Sequence, residues 1–66
     1  MPHVLITWVE GRSPEQKRTI ARKITQTLVE DGRAKLENCH VAFVDVPATN
    51  YAEGGVTVAD QRAAKT

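Results

Sequence analysis

The sequence predicts an α/β fold: a β-α-β unit with parallel strands and a short C-terminal hairpin, assembled into an oligomer. Two apolar stretches, residues 3–9 and 40–46, flank one capped amphipathic segment over residues 14–31. A strand–helix–strand connection within one compact unit implies a right-handed crossover and parallel strands. The third observation is size: 66 residues with a single cysteine form one small domain, 1–66, without an internal disulfide. Chains this short bury only about 60% of their unfolded surface and usually need a disulfide, a metal or a partner subunit.

The first stretch, His3-Val4-Leu5-Ile6-Thr7-Trp8-Val9, is β-branched or apolar almost throughout and reads as a strand buried on both faces. Glu10-Gly11-Arg12 breaks it. Ser13-Pro14-Glu15-Gln16 is a dense helix-start signal: Ser13 caps, Pro14 suits the first helical position, and Gln16 completes a capping box. The helix is expected from about Pro14 to Asp31, with Gly32 as its stop. Ile20, Ile24 and Leu28, with Ala21 beside them, form one apolar stripe, while Arg18, Arg22 and Gln26 form a solvated opposite face. Arg33 to Asn38 connects to the second strand, His40 to Val46, which Pro47 ends. Asn50 to Gly55 reads as a loop with a Gly-Gly turn, followed by a short extended piece over Val56 to Val58. One helix covers one face of a two-stranded sheet, and two strands are too few to stand alone. The other apolar face must meet another copy.

Nine basic and eight acidic residues give a net charge of +1, without a basic run and with only Trp8, Phe43 and Tyr51 as aromatics. A nucleic-acid surface needs a concentrated basic stripe, so none is expected. The apolar stretch Val4–Val9 is far shorter than the ~20 residues of a membrane span and is not preceded by a charged leader. Cys39 is the lone thiol, and it and two separated histidines fall short of a metal ligand set. With no export signal, a cytoplasmic location is expected.

The chain opens Met1-Pro2, and initiator methionine is ordinarily removed before a residue as small as proline. The exposed secondary amine belongs to a class titrating near 8, lower beside cations or when buried, which suits a proton shuttle. By itself Pro2 reads as an ordinary second residue. The residues around it add weight. Pro2 before an apolar strand, then Glu10-Gly11-Arg12-Ser13 with Glu15-Gln16-Lys17, the Val41–Val46 strand and the loop Asn50-Tyr51-Ala52-Glu53-Gly54-Gly55 together resemble the 4-oxalocrotonate tautomerase family. The likeness covers nearly the whole chain.

The resemblance implies a cofactor- and metal-independent tautomerase acting on a small carboxylate substrate such as 2-hydroxymuconate. Its assembly would be a homohexamer or another small oligomer, including a hetero-oligomer with a paralogue. Pro2 would be the catalytic base. Arg12 would bind a substrate carboxylate, a role suited to a permanently charged, two-pronged guanidinium. Read alone, Arg12 is also an ordinary surface arginine at a helix entrance. A strand rising ~3.3 Å per residue separates Pro2 from Arg12 by more than ~20 Å within one chain, so a shared site needs two subunits.

Two positions depart from the family. His40 stands where it has a second substrate-binding arginine; histidine is shorter and is charged only when protonated. It is read both as a site residue and as a structural strand-end residue. Tyr51 replaces a pocket phenylalanine, adding a hydroxyl to an apolar wall. Glu53 matches by position a water-activating glutamate of the related 3-chloroacrylate dehalogenases, and Tyr51 is within reach to hydrogen-bond it. The additional arginine of those enzymes is absent, since the chain has only Trp8 and Val9 there. The alternatives are therefore a hydratase or dehalogenase using Glu53, or a non-catalytic assembly subunit. His3, Trp8 and Cys39 match no catalytic pattern and read as a strand-end polar group, core packing and a small buried hydrophobe.

Overall fold

The computed structural model describes residues 1–65. Strand β1 spans His3–Val9, helix α1 Pro14–Glu30 and strand β2 His40–Val46; β3 (Ala52–Glu53), β4 (Val56–Thr57) and helix α2 (Val58–Ala64) follow. Strands β1 and β2 pair in parallel without a slip, from His3↔His40 to Val9↔Val46. The ladder continues one step past each end: the His40 N–H donates to the Pro2 carbonyl at 3.1 Å, and the Glu10 N–H donates to the Val46 carbonyl at 2.8 Å.

Helix α1 begins as its sequence dictates. Ser13 Oγ accepts the Gln16 N–H at 3.1 Å, and Gln16 Oε1 accepts the Ser13 N–H at 2.8 Å, closing the capping box. Its far end comes where expected, with Asp31 as the cap just before Gly32. The left-handed residue there is Arg33, at φ 57°. Gly32 is required by proximity instead, because a Cβ there would lie 2.7 Å from the Leu28 carbonyl oxygen. That oxygen also accepts the Ala34 N–H at 3.1 Å, so the chain folds tightly back over the helix end.

Register-paired residues share a sheet face. Val4, Ile6 and Trp8 thus lie with Val41, Phe43 and Asp45, and this face meets α1 through Lys17 on Asp45. His3, Leu5, Thr7 and Val9 lie with His40, Ala42, Val44 and Val46 on the other face. The second face, expected to be buried, is bare in the single chain: Leu5 is 59% exposed and Val44 42%. No described residue is fully buried.

The hairpin β3–β4 turns on Gly54 and Gly55, at φ 60° and 86°, a pair that favours glycine at both positions. Helix α2 is the element that the sequence reading missed, having extended the strand to Val58. Its start is written in Thr57-Val58-Ala59-Asp60: Thr57 Oγ1 accepts the Asp60 N–H at 3.1 Å. A 3-10 turn over Ala48–Asn50, β4 and α2 pack on one another, held by the Val58 N–H on the Tyr51 carbonyl at 2.8 Å. Among the described residues no helix is long and apolar enough to cross a membrane.

Candidate active site

Pro2 sits at the head of β1, half-exposed, with Met1 preceding it in solvent. Its carbonyl is pinned by His40, so the start of β2 lies directly beside it. His3 and His40 are register partners whose rings stand 6.5 Å apart at 44°. The sheet therefore brings Pro2 and His40 to one end, as expected from parallel strands, and adds His3 on the same face as His40.

Arg12 lies at the other end. Gly11 takes φ 143° with open space where a Cβ would be, so backbone conformation alone calls for glycine at this turn. The turn carries Arg12 back over the strand it has just left. Arg12 Nη1 donates to the Val9 carbonyl at 3.0 Å, and its guanidinium carbon lies 4.5 Å from the Trp8 ring centroid. From Pro2 to Trp8 the extended chain spans about 20 Å, so one chain does not place Pro2 and Arg12 in one site.

Trp8 is more than core packing. Its ring stacks on Phe43 at 5.5 Å, and its Nε1–H donates to Asp45 Oδ1 at 2.6 Å. The other Asp45 oxygen accepts Lys17 Nζ. The Lys17 hydrogen bond, followed by that from Trp8, holds the Asp45 carboxyl below the usual carboxylate range. Trp8 and Arg12 open onto a groove of about 540 Å³ completed by the start of α1, with Ser13, Gln16 and Ile20 among its walls. A second groove of about 520 Å³, between Thr25, Val29 and Leu36, contains no candidate site residue.

Tyr51 and Glu53 leave the sheet from the Val46 end, beyond Pro47 and the Ala48–Asn50 turn. Glu53 pairs with Val56 in the hairpin and is exposed, and Tyr51 is 37% exposed. Among the described residues, the Tyr51 hydroxyl makes no hydrogen bond to Glu53. Cys39 is half-exposed rather than buried, and its Sγ–H donates to the Lys35 carbonyl at 3.4 Å. Within one chain, then, the candidates divide into a Pro2–His40 end and an Arg12 end from which the Tyr51–Glu53 hairpin departs.

Residues 2–61 match the family model described as tautomerase enzyme. A probable tautomerase of Listeria monocytogenes serotype 4b (strain F2365) is 35% identical over 60 residues, covering 91% of this chain and 98% of its own. The crystal structure of TomN, a 4-oxalocrotonate tautomerase homologue in the tomaymycin biosynthetic pathway, superposes with a TM-score of 0.92 at 28% identity, covering 98% of this chain and 100% of TomN. A heterohexamer 4-oxalocrotonate tautomerase from Chloroflexus aurantiacus J-10-fl superposes with a TM-score of 0.84 at 32% identity, over 91% of this chain and 97% of that one.

Proposed function

The chain belongs to the tautomerase family and is an isomerase of that kind, and we propose that it interconverts the enol and keto forms of a small unsaturated or 2-oxo acid such as 2-hydroxymuconate. Pro2 is the general base, acting through its secondary amine once Met1 is removed. The observation that carries the reading is the backbone bond from the His40 N–H to the Pro2 carbonyl, which fixes the amino-terminal residue at the mouth of a parallel pair.

In this reading the Pro2 nitrogen takes the dienol hydroxyl proton as the oxygen becomes a carbonyl. The electron pair moves along the conjugated chain, and the same proton is delivered to the distant carbon. Nothing is oxidised and no group leaves. His40 faces the oxygens next to the transferred proton, and Arg12 of a neighbouring subunit grips the remote carboxylate. The bare Leu5–Val44 face supports the assembly that this sharing needs. The Chloroflexus relative's heterohexamer supports a hexamer for this chain, as a homohexamer or with a paralogue. A dicarboxylic dienol arises when oxidative ring opening of an aromatic diol leaves an enol acid with an aldehyde and that aldehyde is then oxidised to the second carboxylate, so the activity belongs with aromatic degradation in the cytoplasm. Tyr51 lines the pocket. No contact that Glu53 makes among the described residues favours a water-adding role for it.

Intact mass of protein from its native host, read beside activity, tests the base. A retained methionine turns the Pro2 nitrogen into an amide without basicity. We expect Met1 to be absent, and Pro2→Ala to lower kcat/KM by about 10²–10⁴-fold, the usual contribution of a positioned acid–base group. Full activity in protein that wholly retains Met1 would overturn Pro2 as the base.

A further inference from the structure

Arg12 is held in place by its own chain before any substrate arrives. One donor of its guanidinium is fixed by the Val9 carbonyl at 3.0 Å, and its central carbon lies over the Trp8 ring, 4.5 Å from the centroid. The indole is itself held by the Phe43 stack on one side and by its N–H on Asp45 at 2.6 Å. Asp45 is in turn tied to α1 by Lys17. We infer that Trp8 is a positioning residue: it holds the Arg12 guanidinium over its ring so that the donors left without a protein partner meet the remote carboxylate of a dicarboxylic substrate.

The geometry suits that role. A cation–π contact places the charge over the face of the aromatic ring, whereas a carboxylate is gripped by parallel N–H bonds. The contact with Trp8 therefore restricts Arg12 without tying its donors to a protein acceptor. Of the five N–H donors of an arginine, only one has a protein partner among the described residues, the Nη1 donor on Val9. The contact also removes motions that an arginine on a solvent-facing turn would otherwise lose only on binding, and pre-organisation of this kind appears as affinity. Substrates lacking the remote carboxylate have nothing for those donors to hold. Trp8 thus sets a preference for dicarboxylates over monocarboxylates.

The inference rests on Arg12 being the carboxylate contact of the proposed function, and the test separates the two. The measured quantity is the ratio of kcat/KM for 2-hydroxymuconate, a dicarboxylate, to that for phenylenolpyruvate, a monocarboxylate, with the assembly checked by sedimentation. Trp8→Leu is expected to lower this ratio by about two- to fivefold, the factor that one exposed cation–π contact supplies, chiefly through KM for the dicarboxylate. Trp8→Phe, which keeps an aromatic face, is expected to restore part of it. In an Arg12→Ala background Trp8→Leu should change the ratio no further. A merely structural Trp8 would lower both activities together and leave the ratio intact, and that result overturns the inference. If Arg12→Ala itself leaves the ratio unchanged, the Arg12 assignment falls and the inference with it. If Arg12→Ala lowers the ratio and Trp8→Leu does not, the positioning role alone fails. Trp8 is the chain's only tryptophan, so its fluorescence gives an independent readout. Titration with cis,cis-muconate should change wild-type emission and leave that of Arg12→Ala unchanged; wild-type emission that stays constant while muconate inhibits competitively counts against contact between the indole and a substrate-bound arginine.

Discussion

His40 opens β2 with its backbone hydrogen-bonded to the Pro2 carbonyl. The proposed function places its side chain beside the oxygens where negative charge develops. An imidazole stabilises a developing oxyanion fully only while protonated; a guanidinium does so at every working pH. His40→Arg is therefore expected to raise kcat/KM for a dicarboxylic dienol at neutral pH, and His40→Ala to lower it, with the assembly unchanged. A recovered charged hydrogen bond contributes about 1.5–3 kcal/mol, roughly tenfold to a hundredfold in rate if it acts in the transition state. Unchanged kcat/KM in both variants would return His40 to the role of a strand-end residue. The places of Pro2, Arg12 and His40 in the fold were legible from local pattern, at a strand start, a turn before a helix cap and a strand opening, whereas their roles are implied only by the family resemblance. The role of Trp8 was not legible. It depends on the φ of Gly11, which aims Arg12 backward, and on Asp45, which β2 brings in from 37 residues away.

Helices and strands were read from period and punctuation, and both signals are strong where α1 begins. Ser13, Pro14 and Gln16 fix that start whatever the rest of the chain does. Less visible was the tie between α1 and the sheet, Lys17 on Asp45, because it joins residues 28 apart whose meeting requires the crossover to have formed. Both side chains remain about a third exposed, at 28% and 30%, so the pair is only partly shielded from water. Its pH signature has a definite sign. The folded Asp45 carboxyl is held below its ordinary value, first by Lys17 and then by Trp8. Its stabilisation is therefore complete above the unfolded value, near 3.9, and is lost as pH falls through the lower folded value. Thermal unfolding at a fixed protein concentration should show wild type losing more Tm than Asp45→Asn as pH drops from about 5 to 3. Equal slopes for the two proteins would mean that Asp45 does not tie α1 to β2. The C-terminal half was read less well because its signals compete. Thr57 closes a β-strand and opens a helix at once, and alternation over Val56 to Val58 hid the cap.

A chain of 7.3 kDa folded compactly would have a radius of gyration of about 11 Å and expose about 4,200 Å². This chain has 15.4 Å and 5060 Å², and one extent of only 15 Å, the thickness of one sheet and one helix. The surplus surface includes the Leu5–Val44 face, whose continuous apolar lettering announced a covered strand without saying what covers it. That partner is beyond the reach of one chain's periodicity, since the same letters serve an intramolecular layer and a second subunit equally. The layout of the site narrows the choice. Pro2 and Arg12 stand at opposite ends of β1, a side-chain reach too far apart to act together in one subunit. Under the proposed function, copies of this chain covering one another's bare faces with their β1 strands antiparallel would bring the Pro2 end of one beside the Arg12 end of another, and one surface would complete both core and site. Two measurements then move together. The unfolding midpoint should rise with protein concentration, because association stabilises only the folded state. Mixing Pro2→Ala subunits with Arg12→Ala subunits, each nearly inactive alone, should restore activity after verified exchange. At equal amounts, about a quarter of sites in a symmetric assembly pair an intact Pro2 from one subunit with an intact Arg12 from its neighbour. Sites contained within single subunits would recover nothing, because every subunit in the mixture carries one lesion. Exchange without recovery would thus separate the assembly from the chemistry, leaving the bare face explained and the shared site refuted.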